Sequence, residues 1–155
     1  MNMLKEDYMG IALDEAIKAF NEDEVPIGCV IVKDDEIIAK AHNQKVKNNN
    51  ATHHAEMLAI DQATKSIGNW HLDDCEMYVT LEPCLMCTGA IINSRIKKVY
   101  FATADPKGGA LVSNLDIYSV KNLNHYPEIE QGCLQEASSE LLKKFFKNKR
   151  QNHKK

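Results

Sequence analysis

Two short motifs constrain this 155-residue chain more than any other feature. His54-Ala55-Glu56 and Pro83-Cys84-Leu85-Met86-Cys87 each open a stretch of helical periodicity, and about thirty residues separate them. That interval holds one helix and one strand, enough to carry the chain away and bring it back. A fold that uses both motifs together therefore sets two helix starts side by side at one edge of a sheet.

The remaining pattern fits such a sheet. Leu4, Tyr8, Ile11, Ala12, Ala16, Ala19 and Phe20 recur at helical spacing, which predicts an amphipathic helix over 4–21, ending near the acidic run before Pro26. From Ile27 to Asn43, two β-branched runs flank Asp34-Asp35, the pattern of a hairpin. A polar loop over 43–52 leads to a helix from His54 to about Ile67, stopped by Gly68. A strand follows from about Glu76 to Leu81. Pro83 suits the first turn of the next helix, where its missing N–H costs nothing, and that helix runs to about Ser94. Then come a strand over 97–103, a loop at Gly108-Gly109, a short helix within 113–121 and a short strand over 127–132. A final helix is marked by Leu134, Ala137, Leu141 and Phe145. This order predicts a three-layer α/β/α fold with about five strands in a mixed sheet, and the length suits one domain.

Composition excludes several classes. An apolar fraction of 44% with 26% charged residues is that of an ordinary globular protein. No apolar run approaches the roughly 18 residues of a membrane span, and the first ten residues carry acids and resemble no export signal, so the expected location is the cytoplasm, with no membrane partner. Five cysteines, an odd number in such a setting, point to thiol or metal chemistry rather than a disulfide framework. The net charge of -3 hides an asymmetry: Lys143 to Lys155 contains seven Lys or Arg and no acid. Such a run is either a nucleic-acid footprint or a solvated helix end.

The motifs carry the chemistry. Cys84 and Cys87 at a helix start face the positive end of the helix dipole, which favours thiolate. A lone C-x-x-C is ambiguous between redox and metal roles. Adding His54 makes one imidazole and two thiolates, three protein ligands, and on zinc that leaves the fourth tetrahedral position for water, as in catalytic centres. A purely structural zinc site would need a fourth ligand, for which Cys29, Cys75 and His53 are the candidates. Glu56, two places after His54, is placed to lean over the open position without coordinating it and to carry protons to and from water acidified by the metal. His53 reads as a loop or rim residue. Cys29, Cys75 and Cys133 read as buried small apolar residues. Trp70 reads as a packing anchor, His42 and His71 as ordinary histidines, and Phe145 as core beside an outward Phe146.

On these residues the chain resembles the zinc-dependent cytidine/deoxycytidylate deaminase superfamily, whose signature is H-x-E followed by P-C-x-x-C. The likeness extends over almost the whole chain to the bacterial tRNA-specific adenosine deaminases, through EVPIGCVIVKDDEIIAKAHN, YVTLEPCLMCTGAIINSRIKKVYFA, DPKGG, LNH and LLKKFF in that order. It implies a cytidine deaminase-like fold with a five-stranded sheet, and a single deaminase domain over 1–155 with a basic C-terminal helix and tail at about 134–155. It also implies one zinc ion per subunit, a homodimer with active sites near the subunit boundary, and a tRNA anticodon stem-loop as partner. The implied reaction converts the wobble adenosine to inosine with release of ammonia.

Carried over by residue, the resemblance makes His54, Cys84 and Cys87 the zinc ligands and Glu56 the proton shuttle. Asn43 would hydrogen-bond the flipped base, and Val25, Pro26 and Ile27 would line its pocket. Asp105 and Lys107 would lie beside the anticodon backbone, and Phe146, Lys147, Lys149 and Arg150 on the helix that grips RNA. The chain departs from the family pattern at Ala51 and His53, at Val112 and Asn114, and at Tyr126. These departures bear on substrate more than on chemistry. The alternative is a relative acting on a free nucleobase or nucleoside with the same zinc chemistry; the basic tail weighs for RNA.

Overall fold

Strand β1 (Gly28–Lys33) is buried almost from end to end, as a GCVIV run of small and β-branched residues requires of an interior strand. Strand β2 (Glu36–His42) pairs antiparallel on one side of it, and β3 (Cys75–Leu81) antiparallel on the other. Strands β4 (Lys98–Thr103) and β5 (Glu128–Gln131) continue parallel to β3. The result is a five-stranded mixed sheet in the order β2-β1-β3-β4-β5. The computed structural model describes residues 3–153, so Lys154 and Lys155 of the basic tail lie outside the described residues.

Helices cover both faces. On one, α1 (Lys5–Asn21) sets Tyr8, Met9 and Ala12 against Val30, Val32, Tyr78 and Tyr100, and α4 (Gln135–His153) packs beside it on β4 and β3. On the other, α2 (Ala55–Ile67) and α3 (Leu85–Ser94) bury Ala55, Ala59, Ala63 and Ile91 with Ile31, Met77, Val79, Val99 and Phe101. The contact of α1 with β1 is backbone against backbone. A Cβ at Gly28 would stand 1.9 Å from the Ala12 carbonyl oxygen, so only glycine allows this approach. Helix α4 is pinned to the sheet by Ser138, fully buried, whose hydroxyl donates to the Thr80 carbonyl at 2.6 Å.

The hairpin turns at Asp34 and Asp35 with φ of 50° and 63°, the left-handed pair that a two-residue primed turn needs. Its position matches the expectation. Three expectations are corrected. Pro83 stands just before α3 rather than in its first turn, because Cys84 takes the N-cap position. The short helix expected within 113–121 narrows to a single 3-10 turn, Ile117–Ser119, capped by the Asp116 side chain, which accepts from the Tyr118 N–H. Trp70 is no packing anchor, being 63% exposed in the turn after α2, with its ring edge-on to His71.

Strand direction now decides where function can sit. The carboxyl ends of β3 and β4, the end of β2 and the start of β1 all fall at one edge, since β1 is antiparallel to both its neighbours. That edge gathers residues 25–27, Asn43, residues 82–87 and residues 105–108 from four parts of the chain, at the strand ends where open α/β sheets place their sites.

Candidate active site

His54 and Cys84 are the N-cap residues of α2 and α3, and neither helix start has a side-chain hydrogen bond in the usual capping role. Both side chains instead turn toward each other. The His54 Nδ1 lies 3.6 Å from the Sγ of Cys84 and 3.6 Å from that of Cys87, one turn into α3. All three donor atoms fall within 4.8 Å of one another, a group able to hold a metal ion.

The donor set fits a small tetrahedral ion. Bonds of roughly 2.3 Å to sulfur and about 2.05 Å to nitrogen, at a tetrahedral angle, give an N···S edge of roughly 3.6 Å, the separation present here. The protonation chemistry agrees. A hydrogen bond from the Cys87 thiol, with another from His54, brings the Cys84 thiol down to about 4 against the cost of burial. Cys87 is pushed far up, by that same hydrogen bond and by burial. The two thiols thus compete for protons at close range, and a divalent cation held there would favour both as thiolates. Among the described residues no fourth Cys, His, Asp or Glu joins the group. Cys29 and Cys75 are buried in the core, and His53 is occupied by a 2.9 Å contact between its Nδ1 and the Asn48 amide.

Glu56 lies two residues along from His54, in the first turn of α2, only 3% exposed, and its Oε1 has no hydrogen-bond partner. Burial pushes its carboxyl up to about 7, and the Cys84 thiolate nearby acts in the same direction. An acid with that value accepts and releases a proton near neutral pH with little driving force either way.

The other expected residues divide into groups. Asn43 is buried, its amide donating to the Val25 carbonyl at 3.4 Å and its own N–H to the Ile27 carbonyl at 3.1 Å, so it is held against residues 25–27. Pro26 is buried, and Ile27 packs against the core beneath. Val25, Asp105, Lys107, Phe146 and Arg150 line one open cavity of about 820 Å³ together with Lys143. Neither the metal-capable trio nor Asn43 lines that cavity, which runs along the surface beside α4. Lys147 is exposed outside it, and Lys149 is held by Asp23 at 2.7 Å. Phe145 is buried edge-on against Phe20 while Phe146 is 44% exposed, the division the helical spacing predicts.

Sequence reasoning missed three side chains that shape this edge, two of them buried and one half-buried. Glu24, 1% exposed, accepts the N–H groups of Val46 and Lys47 at 3.0 and 2.7 Å and fixes the loop after Asn43. His42 is bridged by Glu15 at 3.2 Å and Glu22 at 2.8 Å. Glu82, 2% exposed, holds the loop after β4. Glu82 follows a buried strand directly and precedes a motif, the one signal that marks it; Glu24 sits in an acidic run with nothing to set it apart.

Comparison with known proteins agrees with this geometry. Residues 3–150 match the model of the MafB19-like deaminase family. The tRNA-specific adenosine deaminase of Aquifex aeolicus is 49% identical over 150 residues, covering 97% of this chain and 99% of that protein. A solved structure from work on A-to-I editing at the wobble position of transfer RNA superposes with a TM-score of 0.87 at 40% identity, covering 89% of this chain and 100% of the other. A guanine deaminase from Bacillus subtilis has 41% identity and a TM-score of 0.63, with 66% of each chain covered.

Proposed function

The chain belongs to the MafB19-like deaminase family, and from that premise we infer that it hydrolyses the wobble adenosine of a tRNA anticodon loop to inosine, releasing ammonia. The observation that carries the chemistry is the Glu56 carboxyl, buried beside a His-Cys-Cys trio with one oxygen left unpartnered. A ligand set alone would not need that acid; a hydrolysis that moves protons does.

His54, Cys84 and Cys87 would hold one zinc ion per subunit. Bound there, zinc supplies Lewis-acid activation of water at neutral pH. Glu56 takes a proton from the attacking water and delivers it to the ring nitrogen next to C6; it then passes the second proton to the amino group. A C–O bond forms at C6, the C–N bond breaks and ammonia leaves. Asn43, fixed by Val25 and Ile27, orients the base, and residues 25–27 form the pocket wall. A stacked base cannot present C6, so the target is an unstacked loop nucleotide.

Extension beyond the base falls to the wall that contains Asp105, Lys107, Phe146 and Arg150, with Lys147 and Lys149 further along the same helix. Cations and an exposed aromatic ring on one face suit phosphates and a stacked base. The guanine deaminase reading receives less support, since that relative matches over a smaller share of both chains and a free base has no use for a basic helix. We further propose a homodimer whose interface runs beside the site. No described helix is long and apolar enough to cross a membrane, and the site of action we propose is the cytoplasm, in one deaminase domain.

The deciding experiment is inosine formation on anticodon stem-loops, run alongside free adenosine, guanine and cytidine, with metal analysis of the purified protein. Turnover on stem-loops is expected; turnover on a free base alone would replace this reading with the other.

A further inference from the structure

The loop from Asp105 to Ser113 carries three of the residues that face the groove beside α4, Asp105, Lys107 and Gly108, yet it has little regular structure of its own. Its order comes from below. The Glu82 carboxylate, 2% exposed, receives four backbone N–H groups: Asp105 on Oε1 at 3.2 Å, and Leu111, Val112 and Ser113 on Oε2 at 3.1, 2.9 and 3.0 Å. Among the described residues, no side-chain donor from a Lys or Arg balances it. Four amide dipoles converge on one anion, the arrangement used elsewhere to hold a bound anion, here turned to hold a loop.

Gly109 shows how closely the two are fitted. A Cβ at that position would lie 2.4 Å from the Glu82 Cδ and 2.6 Å from the Asp105 carbonyl oxygen, so the backbone passes directly over the carboxylate. The Ala110 N–H donates to the Pro83 carbonyl at 2.9 Å, tying the same loop to the residue before Cys84. Glu82 thus stands two residues from a donor of the metal-capable trio and grips both ends of a loop that borders the groove. Three of the four N–H groups come from residues 111–113, so a foreign side chain at Val112 leaves this grip intact.

We propose that Glu82 is a positioning residue for substrate: it fixes the 105–113 loop relative to the reaction centre and so sets how an extended RNA lies while its target base enters the pocket. This role rests on RNA being the substrate. It has no chemical role, since both carboxylate oxygens are engaged by backbone N–H groups of the loop. Loosening it should spoil binding of the long substrate and spare the chemical step once the base is seated.

The test uses purified metal-loaded wild type, Glu82→Gln and Gly109→Ala. The first keeps shape but turns one acceptor into a donor against an N–H; the second disturbs the same contact from the loop side. Steady-state kinetics on an anticodon stem-loop are read with metal content, thermal melting and amide hydrogen exchange. Expected for both variants are a KM raised about tenfold, the loss of one or two charged hydrogen bonds' worth of order, with kcat within twofold. Metal stays at the wild-type level, and exchange quickens at residues 105–113. Unchanged KM with wild-type turnover intact would overturn the role of Glu82 alone, as would an equal fall in kcat and metal content, the mark of a merely structural residue. A wild-type protein that makes no inosine would overturn the RNA reading itself and this role with it.

Discussion

Replacing Glu56 by glutamine should separate catalysis from stability, because the two depend on this side chain with opposite sign. The carboxylate is 3% exposed with an unpartnered Oε1; of the titratable groups beside it among the described residues, His54, Cys84 and Cys87 are committed as donors, and burial pushes the Cys29 thiol well up. Nothing in the site can stand in as proton carrier. The loss should therefore reach the upper part of the about 10²- to 10⁴-fold range for general acid–base catalysis, or roughly 4–5 kcal/mol of barrier at about 1.4 kcal/mol per tenfold. Stability should move the other way or not at all. A buried unsatisfied charged oxygen costs a fold about 1–3 kcal/mol, and an isosteric neutral side chain relieves part of it. At this chain length each kcal/mol is about 2–4 °C of melting temperature. The assay is single-turnover inosine formation at saturating stem-loop, with metal content and thermal melts on the same samples. A variant within tenfold of wild type, or one that loses metal and melts early, would refute the assignment of Glu56 as an uncoordinated shuttle.

Other outcomes follow from the same structure. Cys87→Ser should lower bound metal well below one equivalent per chain and lower the melting temperature, read by metal analysis and calorimetry, since a hard hydroxyl replaces a thiolate at a site spaced for zinc. Phe146→Ala combined with Lys147→Gln and Arg150→Gln should weaken stem-loop binding and flatten its salt dependence by about 0.7 in log–log slope for each phosphate no longer neutralised, leaving melting unchanged. Phe145→Ala, its buried neighbour, should instead cost about 3–5 kcal/mol of stability. Glu15 answers to pH: although burial opposes ionisation, hydrogen bonds from Lys18 and His42 hold its carboxyl below the usual range. Its contribution is then present above the unfolded value near 4.5 and lost as pH falls through the lowered one. Glu15→Gln should therefore destabilise at pH 7 and make steadily less difference as the pH falls below the unfolded value, as measured by paired melts across that range.

Much of this could be read from the chain because periodicity and motif spacing act locally. The alternating and helical runs locate all five strands and four helices to within a few residues, and the two motifs name the metal-capable trio and Glu56 by spacing alone. What escaped is held by contacts distant in sequence. Glu82 meets residues 105–113 only because β3 and β4 are parallel neighbours. Trp70 misled for the opposite reason: its size suggested burial, but the turn after Gly68 leaves it in solvent. His42 looked ordinary because its partners, Glu15 and Glu22, belong to a helix on the other side of the hairpin.

The parallel pairing of β3 with β4 also divides labour along the polypeptide. Everything that would make or move a bond lies before residue 88, whereas most of what would recognise a long substrate comes after residue 104. Drift in the second half can therefore redirect the catalyst to new clients without rebuilding its reactive centre, and a library confined to residues 105–150 is the economical way to retrain it.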